Sequence, residues 1–310
     1  VLISFAIPAF NASRTIARTL DSVFGAILPE GWRVEAIVVD DGSEDGEALA
    51  EAVAVFPTAR LVRHPENLGM CAGRNSGVAH SQGDLVIILD ADDELVVDWP
   101  QTLAEILREW PHECRLCYAA CRNQDGVITA AEPDYCGRLD LDDLLNERHA
   151  GEYLPVFRGD YVRATHYVDL GMRKSCGIVS YLRFAHDAPF WVTNQVLRIY
   201  HDAHAGSVTR GWTSPAKAAE TARCYQALFE RYGELYRQRA PRVYQTKLLR
   251  LAVYLRLAGL PGAWVAYRRG AAASAWRESL GAAVMLLLGG RAAGVLADQL
   301  KKTGWIRRYG

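Results

Sequence analysis

Short apolar runs and amphipathic stretches alternate through the first hundred residues. Leu2–Ile7 is apolar and closes at Pro8, the pattern of a buried strand. Ile16, Leu20, Val23, Phe24 and Ile27 then recur at helical spacing, with Asn11 or Ser13 as the expected cap. Val34–Val39 predicts a second strand, ending in Asp40-Asp41-Gly42-Ser43. Ser43, with Glu44 and Asp45 behind it, predicts the start of a second helix, its acids matching the helix dipole. Arg60–His64 and Asp84–Leu89 predict two further strands, with a loop running into a helix between them. Asp98 and Pro100 open another helix. Successive strand–helix units imply right-handed crossovers and a mainly parallel sheet. The acidic loops that follow its strands then fall on one edge, where open α/β sheets bind ligands.

From about residue 115 the pattern is mixed. A strand is predicted at Leu116–Cys121, a turn at Gln124-Asp125-Gly126, a helix over Asp140–Asn146 and a strand at Trp191–Tyr200. After Thr213 the composition is helical, rich in Ala, Leu and Arg, with breaks at Pro241 and Pro261-Gly262. The chain has 310 residues, half of them hydrophobic, enough for a full core and two or three subdomains. Its net charge is only −1, but the distribution is uneven. Residues 237–310 carry 14 Lys+Arg against 2 acids, Glu278 and Asp298, a net of +12 that leaves −13 for residues 1–236. A basic, Trp-containing helical tail suits an anionic surface such as a membrane, or equally a cap with a solvated basic face. No nucleic-acid recognition module accompanies the charge.

Seven scattered cysteines form no disulfide framework and suit a reducing cytoplasm. Cys114, Cys117, Cys121 and Cys136 allow a zinc knuckle, but the strand-like alternation around them favours core positions. The longest apolar stretch, Leu280–Ala297, is interrupted by Arg291 and four glycines, short of the roughly 20 apolar residues of a spanning helix. No signal peptide is visible, so the expectation is a soluble cytoplasmic protein, or a peripheral one at the inner face of the membrane.

The chemistry concentrates in two acidic clusters. Asp90, Asp92 and Asp93 follow the run LVIIL, and Asp41 closes the run EAIVVDD. Three acids within four residues repel one another without a cation, which points to a divalent metal with an anionic ligand. No GxGxxG follows a strand, and GxxxxGK[ST] and HExxH are absent, so dinucleotide, P-loop and zinc-protease readings lose their support.

Ile7-Pro8-Ala9-Phe10-Asn11, Val39-Asp40-Asp41-Gly42-Ser43, Asn67-Leu68-Gly69, Gly73-Arg74-Asn75-Ser76-Gly77, Gly83-Asp84 and Leu89-Asp90-Ala91-Asp92-Asp93 occur in that order. Together they resemble the nucleotide-binding half of a family 2 glycosyltransferase of the GT-A fold, strongly over residues 1–100 and weakly to about residue 210. The resemblance implies a Rossmann-like α/β domain with a helical C-terminal extension. It divides into a donor half at 1–100, an acceptor and catalytic half at 101–212, and a basic helical extension at 213–310. It implies an inverting transfer of a sugar from a nucleotide-diphosphate donor, a UDP-sugar, to a saccharide or lipid-linked acceptor. Asp90, Asp92 and Asp93 would hold Mg²⁺ or Mn²⁺ against the donor pyrophosphate, Asp41 would read uracil, and Arg74 would pair with the diphosphate. The loop Pro8–Asn11, with Ala9 in it, would line the nucleotide cleft.

In the second half the pattern departs from the family. Counting back from Arg183 puts Gly177 where the general base belongs and Cys176 where its Glu neighbour belongs; neither can serve. Asp187 and Asp169 are the candidate replacements, with Asp160 a further nearby acid. Two other readings stay open: a transferase acting on a polyprenyl phosphate, which needs no base, and a glycosyltransferase-like binding protein without turnover. Tyr200–Thr209 resembles the family's Tyr-Arg-x-His-x-x-Ser segment, which makes His204 the candidate fourth metal or diphosphate contact and His201 the second choice.

Overall fold

A computed structural model describes residues 1–173, 176–201, 213–272, 275–288, 292–296 and 299. The chain divides into two units. One comprises Val1–Leu144 and His149–Ala205, the other Leu145–Arg148 and Gly206–Gly310.

The first unit is built on β1 (Leu2–Ala9), β2 (Arg33–Asp40), β3 (Ala59–Arg63) and β4 (Leu85–Ile88), hydrogen-bonded in parallel in the order β3-β2-β1-β4. The sheet continues through β5 (Glu94–Leu95), β6 (Leu116–Asn123), β8 (Tyr153–Arg158) and β9 (Phe190–Tyr200), giving the order β3-β2-β1-β4-β8-β6-β9-β5. β7 (Gly137–Leu139) pairs antiparallel with β9. β8 runs antiparallel to β4 and β6, whereas β6 and β9 are parallel. The expected parallel core is present, and antiparallel strands extend it into a mixed sheet.

Strand alternation divides the core between the two faces. Ile3, Phe5 and Ile7 of β1 pack with α1 (Ile16–Phe24), α2 (Gly46–Ala54) and α4 (Trp99–Glu109), where the Phe5 ring meets Trp99 edge-on at 5.3 Å. Ala6 faces the other way, with Val78 of α3 (Met70–His80), Val162 of α6 (Gly159–Thr165) and Phe184 of α7 (Gly177–Asp187). A short α5 (Leu141–Leu145) follows β7.

Several boundaries differ from the periodicity. α1 stops at Gly25, and Ile27, expected on its apolar face, is 83% exposed. α2 begins at Gly46 rather than Ser43, because Ser43 and Asp45 bond to the loop after β1. The turn at 123–126 and the strands at 116 and 190 fall as expected.

The second unit holds α8 (Pro215–Arg239), α9 (Pro241–Leu257), α10 (Ala263–Gly270) and α11 (Trp276–Leu287); the first three are separated at the expected Pro241 and Pro261-Gly262. Gly262 has φ +92°, which favours glycine. Buried Lys247 of α9 meets Glu147 at 2.6 Å. Among the described residues, no helix is long and apolar enough to cross a membrane.

α3 lies unusually close to β1 because two glycines one turn apart face the strand. A Cβ at Gly77 would sit 2.8 Å from the Ala6 Cβ, and one at Gly73 would sit 3.1 Å from the Pro8 Cβ. Gly77→Ala is therefore expected to destabilise the first unit by about 1–3 kcal/mol despite its higher helix propensity, read as a lowered denaturant midpoint.

Candidate active site

The carboxyl ends of β1, β2 and β4 bring three loops together, and side chains latch the first two. Asn11, with φ +52°, donates its N–H to Ser43 Oγ at 2.9 Å, and its Oδ1 accepts the Glu44 N–H at 2.9 Å. The Ser13 N–H donates to Asp45 Oδ2 at 3.0 Å. Neither residue caps α1 as expected: the N-cap is Thr15, which makes no side-chain cap bond. Their polar groups hold the Pro8–Asn11 loop against the Asp40–Asp45 loop instead. The Ala9 carbonyl, at the end of β1, accepts the Asp41 N–H at 2.8 Å.

Asp40 and Asp41 are both buried and both hydrogen-bonded. Asp40 accepts the Ser43 N–H and Arg63 Nε, each at 2.9 Å. Asp41 Oδ1 accepts the Leu68 N–H at 2.9 Å and faces His64 Nδ1 at 2.7 Å, while Oδ2 accepts the Gly69 N–H at 2.8 Å. A carboxylate has about four acceptor positions, so these contacts leave Oδ2 capacity for one more donor. His64 is itself braced by Ser76 Oγ at 2.8 Å. The sequence reading missed this histidine, which follows a strand and carries no motif.

The third loop follows β4. Asp90 is 36% exposed, with Arg74 Nη2 3.7 Å from Oδ1 and Arg198 Nη1 3.4 Å from Oδ2. Asp93 is 1% exposed; its Oδ1 accepts the His201 N–H at 2.9 Å, and its Oδ2 lies 3.2 Å from Arg198 Nη1 without hydrogen-bond alignment. Burial pushes the Asp93 carboxyl up to about 7 against the pull of Arg198. Asp92 is half-buried, and its carbonyl accepts Arg18 Nη2 at 2.5 Å.

Arg198 is the second residue the sequence reading missed, hidden in the strand pattern VLRIY. It projects from β9 into the sheet edge, where its Nε donates to Cys121 Sγ at 3.1 Å. Burial disfavours its charge, yet Cys121, Asp93, Asp90 and Glu152 together raise its pKa. A cation inside an apolar strand needs an acidic partner, and that is the signal by which it could have been found. Arg74 is half-buried, 5.5 Å over the Tyr167 ring; burial opposes its charge, but Tyr181 and Asp90 outweigh it and raise its pKa.

The base candidates are placed differently. Gly177 opens α7 behind buried Cys176, so the usual base position holds no carboxylate. Asp187 ends α7 and accepts the Tyr161 hydroxyl at 3.2 Å. The pairings Leu116↔Phe190, Leu116↔Phe157 and Val86↔Phe157 align the start of β9 with the start of β4, so Asp187 lies at the sheet edge opposite Asp90. Asp169 is exposed in the loop after α6, where its Oδ1 accepts the Gly171 N–H at 2.8 Å. Asp160 lies in the first turn of α6. The hydrogen bonds of Asp187 and Asp169 run to Tyr161 and Gly171 rather than to the acidic loop. His201 does reach it, through its N–H on Asp93 and its Nε2 2.8 Å from Glu94 Oε1; His204 lies outside the described residues.

Among the described residues, no three acidic, His or Cys side chains converge into a cation cage. The donor set still fits a hard cation. Asp90 and Asp92 keep solvent access, and Asp93 Oδ2 has no hydrogen bond. One or two carboxylates completed by a ligand's phosphates are a common Mg²⁺ arrangement.

Comparison with known proteins meets this geometry. Residues 4–126 match the family described as Glycosyl transferase family 2. The succinoglycan biosynthesis proteins ExoO and ExoU of Rhizobium meliloti are 34% identical over 96 residues and 40% over 105; these segments cover 31% and 33% of this chain and 27% and 29% of the relatives. The dolichyl-phosphate beta-glucosyltransferase ALG5C of Trichomonas vaginalis is 35% identical over 106 residues, 32% of this chain and 31% of its own. The chain thus spans less than a third of the length of the curated relatives it matches. The crystal structure of S. aureus TarS 1-349 in complex with UDP-GlcNAc superposes with TM-score 0.58 at 13% identity, over 91% of this chain and 79% of that one. That likeness is one of fold, GT-A-like with a helical C-terminal region.

The Arg198 cluster has a direct test. Arg198→Met leaves Asp93 buried without its counter-charge and is expected to cost roughly 3–5 kcal/mol in chemical denaturation. Adding Asp93→Asn to that variant should recover part of the loss, since the uncompensated charge is then gone.

Proposed function

Since residues 4–126 belong to Glycosyl transferase family 2, we propose that the chain transfers a sugar from a nucleotide-diphosphate donor, a UDP-sugar, to a saccharide or lipid-linked acceptor. The observation that carries this reading is the convergence of the Asn11, Asp41 and Asp90 loops on one sheet edge, with Arg74 3.7 Å from Asp90. On this reading residues 1–100 form the donor half, 101–212 the acceptor half and 213–310 an extension. Asp41 holds the strand-end loops and keeps Oδ2 capacity for a pyrimidine N–H, while Pro8, Ala9 and Asn11 line the nucleotide cleft. Arg74 offers its guanidinium to the diphosphate. Asp90 and Asp92 would hold Mg²⁺ or Mn²⁺, with Asp93 behind them and His204 as a further contact; such a cation would neutralise charge on the departing diphosphate. Arg198 fixes Asp90 and Asp93 in place. Transfer in one in-line displacement inverts the anomeric centre.

Calorimetric titration with UDP tests the donor site. Asp90→Asn/Asp92→Asn removes the two solvent-accessible carboxylates while sparing the Asp93 pair. UDP is expected to bind the unmutated chain more tightly with Mn²⁺ than without it, and the double variant should lose about ten- to a hundredfold in affinity and most of the metal dependence. Unchanged, metal-independent binding would remove Asp90 and Asp92 from the site.

The second unit offers a surface for a lipid-linked acceptor. Trp276, Leu280, Val284 and Leu287 recur at helical spacing on α11 and are all exposed, beside exposed Arg277; α10 adds exposed Trp264, Arg268 and Arg269. With the net charge of +12 over residues 237–310, this face fits an anionic bilayer. The chain should co-sediment with vesicles containing phosphatidylglycerol and much less with phosphatidylcholine alone. Leu280→Glu/Leu287→Glu should abolish that difference.

A further inference from the structure

The acids around the Asp90 loop differ in how far they are already engaged. Asp41 accepts two backbone N–H groups and faces His64. Asp93 is sealed in with Arg198 and the His201 N–H. Glu94 meets Arg18 at 3.1 Å and His201 at 2.8 Å. Glu152 is different: among the described residues its Oε2 has a single ion-pair contact, Arg198 Nη2 at 3.6 Å, and its side chain is 45% exposed.

The sheet register places Glu152 where chemistry would occur. It immediately precedes β8, which runs antiparallel to β4 with Ile87 opposite Val156. The edge at which β4 delivers Asp90 is therefore the edge at which β8 begins. Arg198 marks the same neighbourhood, since one guanidinium lies beside Asp90, Asp93 and Glu152. The Tyr200 hydroxyl agrees, pushed up to about 12 by burial and then by Glu152 and Asp93.

The backbone under Glu152 is fixed on both sides. Gly151 passes so close to the 123–130 hairpin that a Cβ there would lie 2.6 Å from the Ala130 Cα. Thr129 Oγ1 donates to the Glu152 carbonyl at 2.9 Å, and the Ala131 N–H donates to the Ala150 carbonyl at 2.7 Å. A carboxylate on rigid backbone, with a guanidinium beside one oxygen and 45% of its side chain exposed, is suited to meet a substrate group.

We propose that Glu152 is the general base of the transfer, in the role for which the usual position, Gly177, has no carboxylate. This rests on the glycosyltransferase reading above. The acceptor hydroxyl oxygen bonds to the anomeric carbon through a lone pair, and its proton passes to Glu152. The bond from the anomeric carbon to the diphosphate oxygen breaks, and its electron pair leaves with the nucleoside diphosphate. Arg198 Nη2 lies beside Oε2, so Oε1 takes the proton.

The test compares Glu152→Gln with the unmutated chain in UDP release from UDP-glucose and UDP-GlcNAc with Mn²⁺, with water as acceptor, beside calorimetric UDP binding. A base role predicts release lowered by about 10²–10⁴-fold while UDP affinity stays within about threefold. Sodium azide, a nucleophile that needs no deprotonation, should restore release in Glu152→Gln and yield the glycosyl azide. A positioning role acting through Arg198 would weaken UDP binding along with release and give no azide rescue, which overturns the proposal. Release by Glu152→Gln within about threefold of the unmutated chain overturns it too. UDP binding without release by the unmutated chain removes the base role and leaves the nucleotide site standing. Failure to bind UDP at all removes the donor reading and the base with it.

Discussion

The buried guanidinium of Arg198 is the interaction on which the acidic edge depends. Asp90, Asp93 and Glu152 arrive from β4 and β8, at 3.4, 3.2 and 3.6 Å from its terminal nitrogens. Carboxylates gathered this closely repel one another, and burial raises the cost of each charge. One delocalised cation with five N–H donors in a planar fork can face several of them at once. Because Arg198 stands on β9, a strand paired on both sides, rather than on a loop, the cluster inherits the rigidity of the sheet. The consequence is a division of labour within four residues: Asp93 is drawn inward, while Asp90 and Asp92 keep access to solvent.

A second constraint sets the opposite wall of the site. Gly73 and Gly77 bring α3 onto β1, and Gly69, at φ +100°, passes so near the Met172 carbonyl that a Cβ would stand 2.1 Å from it. Asn75 then pairs with the backbone of Tyr167 in both directions, donating at 3.0 Å and accepting at 2.7 Å. Glycines and one amide thus fix the helix that carries Arg74 and the tyrosine beneath it. A basic side chain whose rotamer is set by packing would lose less freedom on meeting an anionic ligand.

These constraints explain what was legible in the sequence. β1, β2 and β4 could be read because each centres on a buried apolar run ended by turn residues, and the acidic loops because they directly follow such runs. Arg198 looked like an interruption of a strand, since the acids that accommodate it are over a hundred residues away at Asp90 and nearly fifty away at Glu152. β8, YLPVFR, carries Pro155 inside a six-residue strand, which argues locally against an interior position. Asn11 and Ser13 had the chemistry of helix caps and were used instead between loops, a choice that only the approach of β1 and β2 decides. Glu152 was hidden for the same reason: nothing beside it in sequence is motif-like, and its importance comes from register with β4.

The same geometry bears on the order in which the proposed ligands assemble. Asp90 and Asp92 alone supply too few donors for a cation that seeks six or more oxygens, and Asp93 is already engaged. A cation held there needs a further set of oxygens, and a diphosphate provides them. The diphosphate, in turn, approaches an edge where three acids outnumber the nearby guanidinium of Arg74, so without a cation its charge meets repulsion. Each ligand therefore lowers the cost of the other, and by linkage the two affinities must rise together. Arg198 is central to this coupling: by neutralising part of the acidic edge from beneath, it leaves a net charge that one divalent ion and one diphosphate can balance.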